Sequence, residues 1–418
     1  MKRILVISEL FYPTNRIGAL RPSKICKFLI EKGYYVDVIT AYPSEGIYHS
    51  EHCKVYPINK TLSNDNISAE SVQHVKSNGR LINYLRYLKR NLSSYRSSRK
   101  YAKKAIALFE NGTLNTENYG ACFTTYGPVS SVLIGLELKR KYNIKNWICD
   151  FRDPMITKMR SVFLFPIYKN LQNKACKYAD KIIAVSDGYL KRICNGRYAD
   201  KSYMIPNGYD PSDMPDILSE RTDGLLHFTY VGALYEGKRK ITPLFHALRE
   251  LADEGKIAVE KICFDYAGSD FMFLNEQAKS YNMPDILKNH GKLSRADCLA
   301  LQKAADFLVL CTWNNRGEEG VFPGKFLEYM LFNKPIIALV DGNLANSEVA
   351  RVMREGEFGI ACETAGGEKD YAELKSYIQK QYQLFSVEKA IEFAPEKEVL
   401  NRYNYDNIMR QIEELIYE

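Results

Sequence analysis

Lys325 and Glu328 stand three residues apart in the stretch EEGVFPGKFLEYMLFNKPIIAL, directly after Pro323 and Gly324. An ammonium and a carboxylate at i and i+3 share one face of a helix. The surrounding residues say that a helix is there. Pro is favoured where helices begin, and Phe326, Leu327, Met330 and Leu331 form an apolar stripe at helical spacing. Asn333 falls where a C-cap would sit, Pro335 cannot continue the helix, and Ile336 to Leu339 read as a strand. Two chemistries fit the pair. One is an ion pair on a capped helix. The other is a ligand site in which Glu328 accepts from a sugar hydroxyl and the backbone near Gly324 faces an anion.

Three more groups carry chemistry. Lys238, Arg239 and Lys240 follow Gly232 in GALYEGKRK, either as a cradle for phosphates or as a solvated basic turn. Gly18 and Ala19 precede a helix, where a small residue lets the backbone approach a phosphate, or simply serves the turn. Arg21 follows them, adding charge to a cleft or sitting on the helix surface. Asp150, Arg152 and Asp153 cluster in DFRDP as orienting groups for a sugar, or as an N-cap and an ion pair. The ten cysteines include no CxxC, and Cys26, Cys149, Cys263 and Cys311 lie in apolar runs as reduced core residues. The six histidines make no metal-ligand spacing, so no metal is expected. Absence of GxGxxG after the first strand disfavours an NAD-dependent oxidoreductase, and absence of GxxxxGK[ST] disfavours a P-loop NTPase.

These groups need elements to hold them. RILVIS, YYVDVIT, ACFTT, WICDF, KIIAVS and SYMIP read as strands, with a helix from Pro22 to Lys32 stopped by Gly33. After a linker at Pro211 to Gly224 come LHFTYV, ICFDYAG, DFLVLCTW, KPIIALV and FGIACE. Alternation of such strands with helical stretches predicts parallel sheets flanked by helices, with ligands at the carboxyl ends of the strands. The last segment, Asn401 to Glu418, is an amphipathic helix carrying Ile408, Ile412 and Leu415 on one side. The expected division is residues 1–210, the linker 211–224, residues 225–400, and the helix 401–418 packing back on the first domain.

Composition agrees. A chain of 418 residues exceeds one ordinary core, and 46% hydrophobic with 26% charged residues is typical of a globular protein. No stretch reaches the ~20 apolar residues of a membrane span, and the N-terminus reads as a strand rather than a signal segment. A cytoplasmic location follows as the expectation. The net charge of +8 is uneven: Arg80 to Lys104 holds nine basic residues and no acidic one. There Leu81, Leu85, Leu88, Leu92 and Tyr95 fall on one helical face, with Tyr84 and Tyr87 nearby. The segment reads as a helix with a solvated basic face, or as one that docks on an anionic inner leaflet. Nucleic acid would use the same charges, but no recognition motif accompanies them.

Taken in order, the strand-end loops resemble those of GT-B glycosyltransferases of the large retaining family that includes many bacterial polysaccharide and lipopolysaccharide transferases. The resemblance spans nearly the whole chain, through FYPTNRIGALRPSKICKFLIEKGYYVDVIT, DFRDP, VSDGYLKRI, IPNGYD, YVGALYEGKRKITPLFHAL and FPGKFLEYMLFNKPII. It implies an α/β GT-B fold of two Rossmann-like domains facing a central cleft. It also implies a nucleotide-sugar donor, a glycan or lipid-linked acceptor, and no metal cofactor. It assigns the donor to Gly18, Gly232, Lys238, Arg239, Pro323, Gly324, Lys325 and Glu328, with Lys238 and Arg239 stabilising the leaving diphosphate. Glu328 matches the second glutamate of the family's Glu-x7-Glu motif, which bonds the ribose. The first glutamate would fall at Gly320, with Glu318 and Glu319 adjacent but out of register, and Ala233 stands where many members carry arginine. Asp153 would act as a catalytic residue beside the transferred sugar, with Arg152, Asp150 and Arg21 toward the sugar or acceptor. A GT-B-fold sugar-nucleotide 2-epimerase and a non-catalytic glycan or polyanion binder are the alternative readings.

Overall fold

The computed structural model describes residues 3–14, 17–44, 46–59, 80–156, 164–215, 221 and 223–417, with side chains at 17 and 80–85 outside that description. The chain divides into two compact units, Met1–Pro206 with Ile408–Glu418, and Asn207–Asn407.

In the first unit the strands are β1 (Arg3–Ile7), β2 (Tyr35–Thr40), β3 (Cys53–Pro57), β4 (Tyr119–Tyr126), β5 (Trp147–Phe151), β6 (Lys181–Ala184) and β7 (Ser202–Met204). They form one sheet ordered β3-β2-β1-β4-β5-β6-β7, parallel throughout. Between them run α1 (Ile17–Glu31), α2 (Arg80–Glu110), α3 (Ser130–Lys141), α4 (Phe165–Tyr178) and α5 (Asp187–Cys194). Order reverses between β1 and β4, so the loops after these strands meet at a switch point, where open α/β sheets take ligands.

The second unit repeats the plan with β8 (Leu226–Val231), β9 (Ile262–Ala267), β10 (Leu287–Gly291), β11 (Phe307–Asn314), β12 (Ile336–Gly342) and β13 (Gly359–Glu363), ordered β10-β9-β8-β11-β12-β13 and again parallel. Its helices are α6 (Thr242–Asp253), α7 (Phe271–Lys279), α8 (Arg295–Lys303), α9 (Gly324–Met330), α10 (Glu348–Glu355), α11 (Gly367–Glu388) and α12 (Lys397–Arg402). A last helix, α13 (Tyr405–Tyr417), lies for the most part in the first unit. The central strands are buried on both faces, as Leu226 to Val231 and Ile262 to Ala267 illustrate, which is why their sequences read as near-continuous apolar runs.

Three expectations need correcting. Helix α1 begins at Ile17, not at Pro22, which lies inside it. Proline has no N–H to give the carbonyl of Gly18 one turn back, and the Arg152 guanidinium donates to that carbonyl instead. The C-terminal segment is two helices, because Tyr209 interrupts it: Tyr209 N–H donates to the Tyr403 carbonyl (2.9 Å) and Tyr405 N–H donates to the Tyr209 carbonyl (3.0 Å). Strands β3 and β10 were not expected at all; both are edge strands and only partly buried, and β10 is polar as well. The linker region lies in part outside the described residues, at 216–220 and 222.

Candidate functional site

Strand β8 ends at Gly232, whose φ of +139° suits glycine and whose missing side chain leaves room for Lys325: a Cβ there would lie 3.6 Å from Lys325 Cε. The Lys325 ammonium is 3.1 Å from Glu328 Oε1, and the Arg295 guanidinium is 3.0 Å from Glu328 Oε2. Lys325 and Glu328 come from the short helix α9, Arg295 from the first turn of α8. Burial alone would raise the Glu328 pKa, but Lys325 and Arg295 outweigh it and hold the carboxyl below its ordinary value. Glu328 is therefore an ionised carboxylate, its side chain 17% exposed, between two cations.

Around it, Gly324 has open space where a Cβ would stand. Gly320 has φ of +81°, a conformation that L side chains rarely adopt, which accounts for the absence of a glutamate there. Glu318 and Glu319 are half-buried in the same loop. Asn333 adopts the left-handed conformation (φ 52°) just beyond α9, as its place before Pro335 suggests.

The basic loop is a defined structure. Asp270 accepts from the backbone N–H of Leu234 (2.7 Å) and Tyr235 (3.0 Å), and Gln277 donates to the Arg239 carbonyl (3.0 Å). Within it the three cations diverge. Arg239 turns inward, donating to Tyr230 Oη (3.1 Å) and the Ala233 carbonyl (3.2 Å) while its guanidinium lies 4.7 Å from the Tyr235 ring centroid. Lys240 pairs with Asp341 at 3.0 Å. Lys238 is exposed and makes no ion pair among the described residues. Arg239 is thus placed as a support of the loop, and Lys238 is the cation left facing outward.

In the first unit the expected residues resolve into a clamp. Arg21 and Asp150 are 1% and 0% exposed and pair through two contacts of 3.1 Å. Arg21 also donates to the carbonyls of Pro206 (2.6 Å) and Ile205 (3.1 Å), and Thr125 donates to Asp150 (2.9 Å). So buried, they present no surface to a sugar, which replaces the expectation of direct contact. Arg152 donates to the carbonyls of Tyr126 (3.2 Å), Gly127 (2.8 Å) and Gly18, tying the loops after β1, β4 and β5 together. Gly18 leaves room for this: a Cβ there would stand 2.7 Å from Leu10 Cδ1 and 3.0 Å from Arg152 Nη1. Asp153 is exposed beside them.

Sequence spacing missed a cluster on the second sheet. Asp265, fully buried, lies 2.6 Å from His227 Nδ1, 2.6 Å from His290 Nε2 and 2.9 Å from Arg221. His227, Cys263 and Asp265 place their donor atoms within 4.8 Å of one another, a grouping able to hold a metal ion. The Arg221 guanidinium, however, already supplies a cation to Asp265, so the donor set fits an ion-pair network better. Burial opposes charging of His227, but Asp265 and its neighbours outweigh this and lift the imidazole pKa to about 9. Burial also acts to raise the Asp265 pKa; the two histidines and Arg221 hold it well below the carboxylate range. Arg295 was missed too, because it follows β10: with that strand unrecognised, KLSRAD did not register as a strand-end loop.

Comparison with solved structures decides the architecture. Sucrose-phosphate synthase from Thermosynechococcus elongatus superposes with a TM-score of 0.63 at 15% identity, covering 99% of this chain and 98% of that one. The fold is GT-B. The lipopolysaccharide outer core galactosyltransferase WaaB matches at 0.56 and 14% identity over 100% and 99% of the two chains. A putative UDP-N-acetylglucosamine 2-epimerase from Listeria monocytogenes matches at 0.52 and 12% over 99% and 95%. No protein-family model matches the chain, and no curated protein matches it in sequence.

Proposed function

We propose that this GT-B chain is a retaining glycosyltransferase. It takes a nucleotide-activated hexose or N-acetylhexosamine and passes the sugar to a glycan or a lipid-linked, membrane-borne glycan during surface polysaccharide synthesis. The observation that carries this reading is Glu328, an ionised, largely covered carboxylate between Lys325 and Arg295 beside Gly232. A carboxylate in that setting accepts both hydroxyls of a ribose diol, while the flanking cations and the outward Lys238 meet the diphosphate. Charge that develops on the leaving diphosphate is then stabilised by groups already in place. Asp153, exposed in the loop after β5, orients hydroxyls of the transferred sugar or acceptor. Fold likeness to both a galactosyltransferase and an epimerase leaves the reaction to be separated by assay.

Incubation with a panel of nucleotide sugars, followed by mass spectrometry and NMR, tests it. Slow release of free sugar with an unchanged α configuration supports the transferase. Conversion of the donor to its 2-epimer would assign the epimerase reaction, and no turnover of any donor would leave a binding protein. Metal is not required in this proposal, so a chelator should leave the rate unchanged; a rate lost to chelation and restored by Mn²⁺ or Mg²⁺ would overturn that part.

A further inference from the structure

We infer that the exposed half of α2, together with the start of α4, is a docking surface for an anionic lipid bilayer. It deepens the proposed function by giving the enzyme a way to reach a membrane-borne acceptor, but it stands on separate residues. Helix α2 is continuous over 31 residues. Its second half is anchored, with Tyr101, Ala102, Ala105, Ile106 and Phe109 buried in the core of the first unit. In its described first half Arg86, Lys89, Arg90, Leu92, Ser93 and Ser94 are exposed and Tyr87, Leu88, Asn91 and Tyr95 half-buried, and every basic residue from Arg86 to Lys104 lies on the surface. No acidic residue interrupts that run. Apart from Arg90, none of these cations forms an ion pair among the described residues.

Two further observations point to lipid. Arg86, Lys89, Arg90, Ser93 and Ser94 lie along one shallow, solvent-open face of α2, none of them belonging to the strand-end loops. Guanidinium, ammonium and hydroxyl donors converging at i, i+3, i+4, i+7 and i+8 suit a headgroup phosphate. Beside it are apolar side chains in the open. Phe165 and Ile167 at the start of α4 are each 39% exposed and Leu92 is 40% exposed, while Tyr95 and Tyr168 bring the two helices together at 5.7 Å between ring centroids. Lys169 lies 6.0 Å from the Phe165 ring, so its charge stays near the apolar tip. A bilayer offers an anionic surface and an apolar interior at once, whereas a nucleic acid offers only the first. No helix among the described residues is long and apolar enough to cross a membrane, so attachment would be peripheral.

Co-sedimentation of the full chain with phosphatidylcholine vesicles, with and without phosphatidylglycerol, tests the surface at low and high salt. Binding should require the anionic lipid and weaken with salt. Each basic residue contributes about fivefold at low ionic strength, so Arg86→Gln/Lys89→Gln/Arg96→Gln should lower the partition coefficient roughly 100-fold. Phe165→Ser/Ile167→Ser should remove the part of binding that survives high salt. Both variants leave the buried anchor of α2 intact, which an unchanged melting temperature would verify. Equal binding to neutral and anionic vesicles, or none to either, would overturn the inference, as would tight binding to duplex DNA by a chain that ignores vesicles. Donor hydrolysis measured in parallel keeps the readings apart: vesicle binding lost with hydrolysis intact overturns docking alone, and the converse overturns the transferase alone.

Discussion

At the scale of single residues, the opening pair proves to be three charges rather than two. Lys325 and Arg295 share Glu328, and because the two cations are themselves 33% and 65% exposed, each pair contributes little to stability, about 0–1 kcal/mol. Glu328→Ala should therefore leave the melting temperature nearly unchanged yet weaken the donor roughly 10- to 100-fold by calorimetric titration, as expected for loss of hydrogen bonds to a charged group. Wild-type affinity in that variant would return Glu328 to the role of a helix ion pair. The basic loop should split similarly. Lys238→Ala is expected to slow turnover without changing stability, whereas Arg239→Ala should lower the melting temperature, because Tyr230 and the Ala233 carbonyl lose their donor. Two glycines give a matching contrast. Gly324→Ala meets open space and should fold normally, so any effect must appear in donor affinity. Gly18→Ala would drive a methyl against Leu10 and Arg152 and should destabilise.

Elements explain what sequence could and could not reveal. Central strands such as β8 and β12 announce themselves, because burial on both faces demands apolar side chains throughout. Edge strand β10 carries Lys288, Asn289 and His290 and looks like a loop until a neighbouring strand supplies its partners. Missing β10 hid Arg295 and, with it, half the environment of Glu328. The start of α1 was hidden by Pro22, whose lost hydrogen bond is replaced by an arginine 130 positions later in the chain. Arg21 and Asp150 read as site residues from their loops, yet the pair serves the interior. Removing one partner of a buried ion pair typically costs about 3–5 kcal/mol, so Arg21→Leu should lower the denaturant midpoint sharply. The Asp265 cluster makes stability depend on pH. Asp265 has a lowered pKa, so its contribution is present above the unfolded value near ~4 and is lost as pH falls below it. His227 has a raised pKa, so its contribution is complete below ~6.5 and disappears as pH rises toward about 9. Melting temperatures should fall from pH 6.5 to pH 9, and His227→Gln should flatten that limb; an unchanged slope in the variant would show that other groups set it.

For the whole molecule, the chain leaves the first unit at Pro206 and returns to it at Ile408. The return is a structural commitment. Ile408, Met409, Ile412, Leu415 and Ile416 are all buried, and full burial of such a side chain contributes about 1.5–3 kcal/mol. Polar ends are fixed as well. Lys181 Nζ donates to the Leu415 carbonyl (2.7 Å), Asn146 donates to the carbonyls of Leu415 (3.1 Å) and Ile416 (3.0 Å), and Tyr34 Oη donates to Glu413 (2.8 Å). Deleting residues 405–418 would expose this apolar patch and leave Lys181, itself 9% exposed, without its acceptor. The truncated chain should show two thermal transitions, the earlier belonging to the first unit, and limited proteolysis should cut first within residues 1–206. The second unit keeps its own sheet and core and should melt near its original temperature. A synthetic peptide of residues 405–418, added in excess, should raise the earlier transition by mass action. A truncated chain that melts as one transition at the full-length temperature would show that the first sheet holds together without the returning helix.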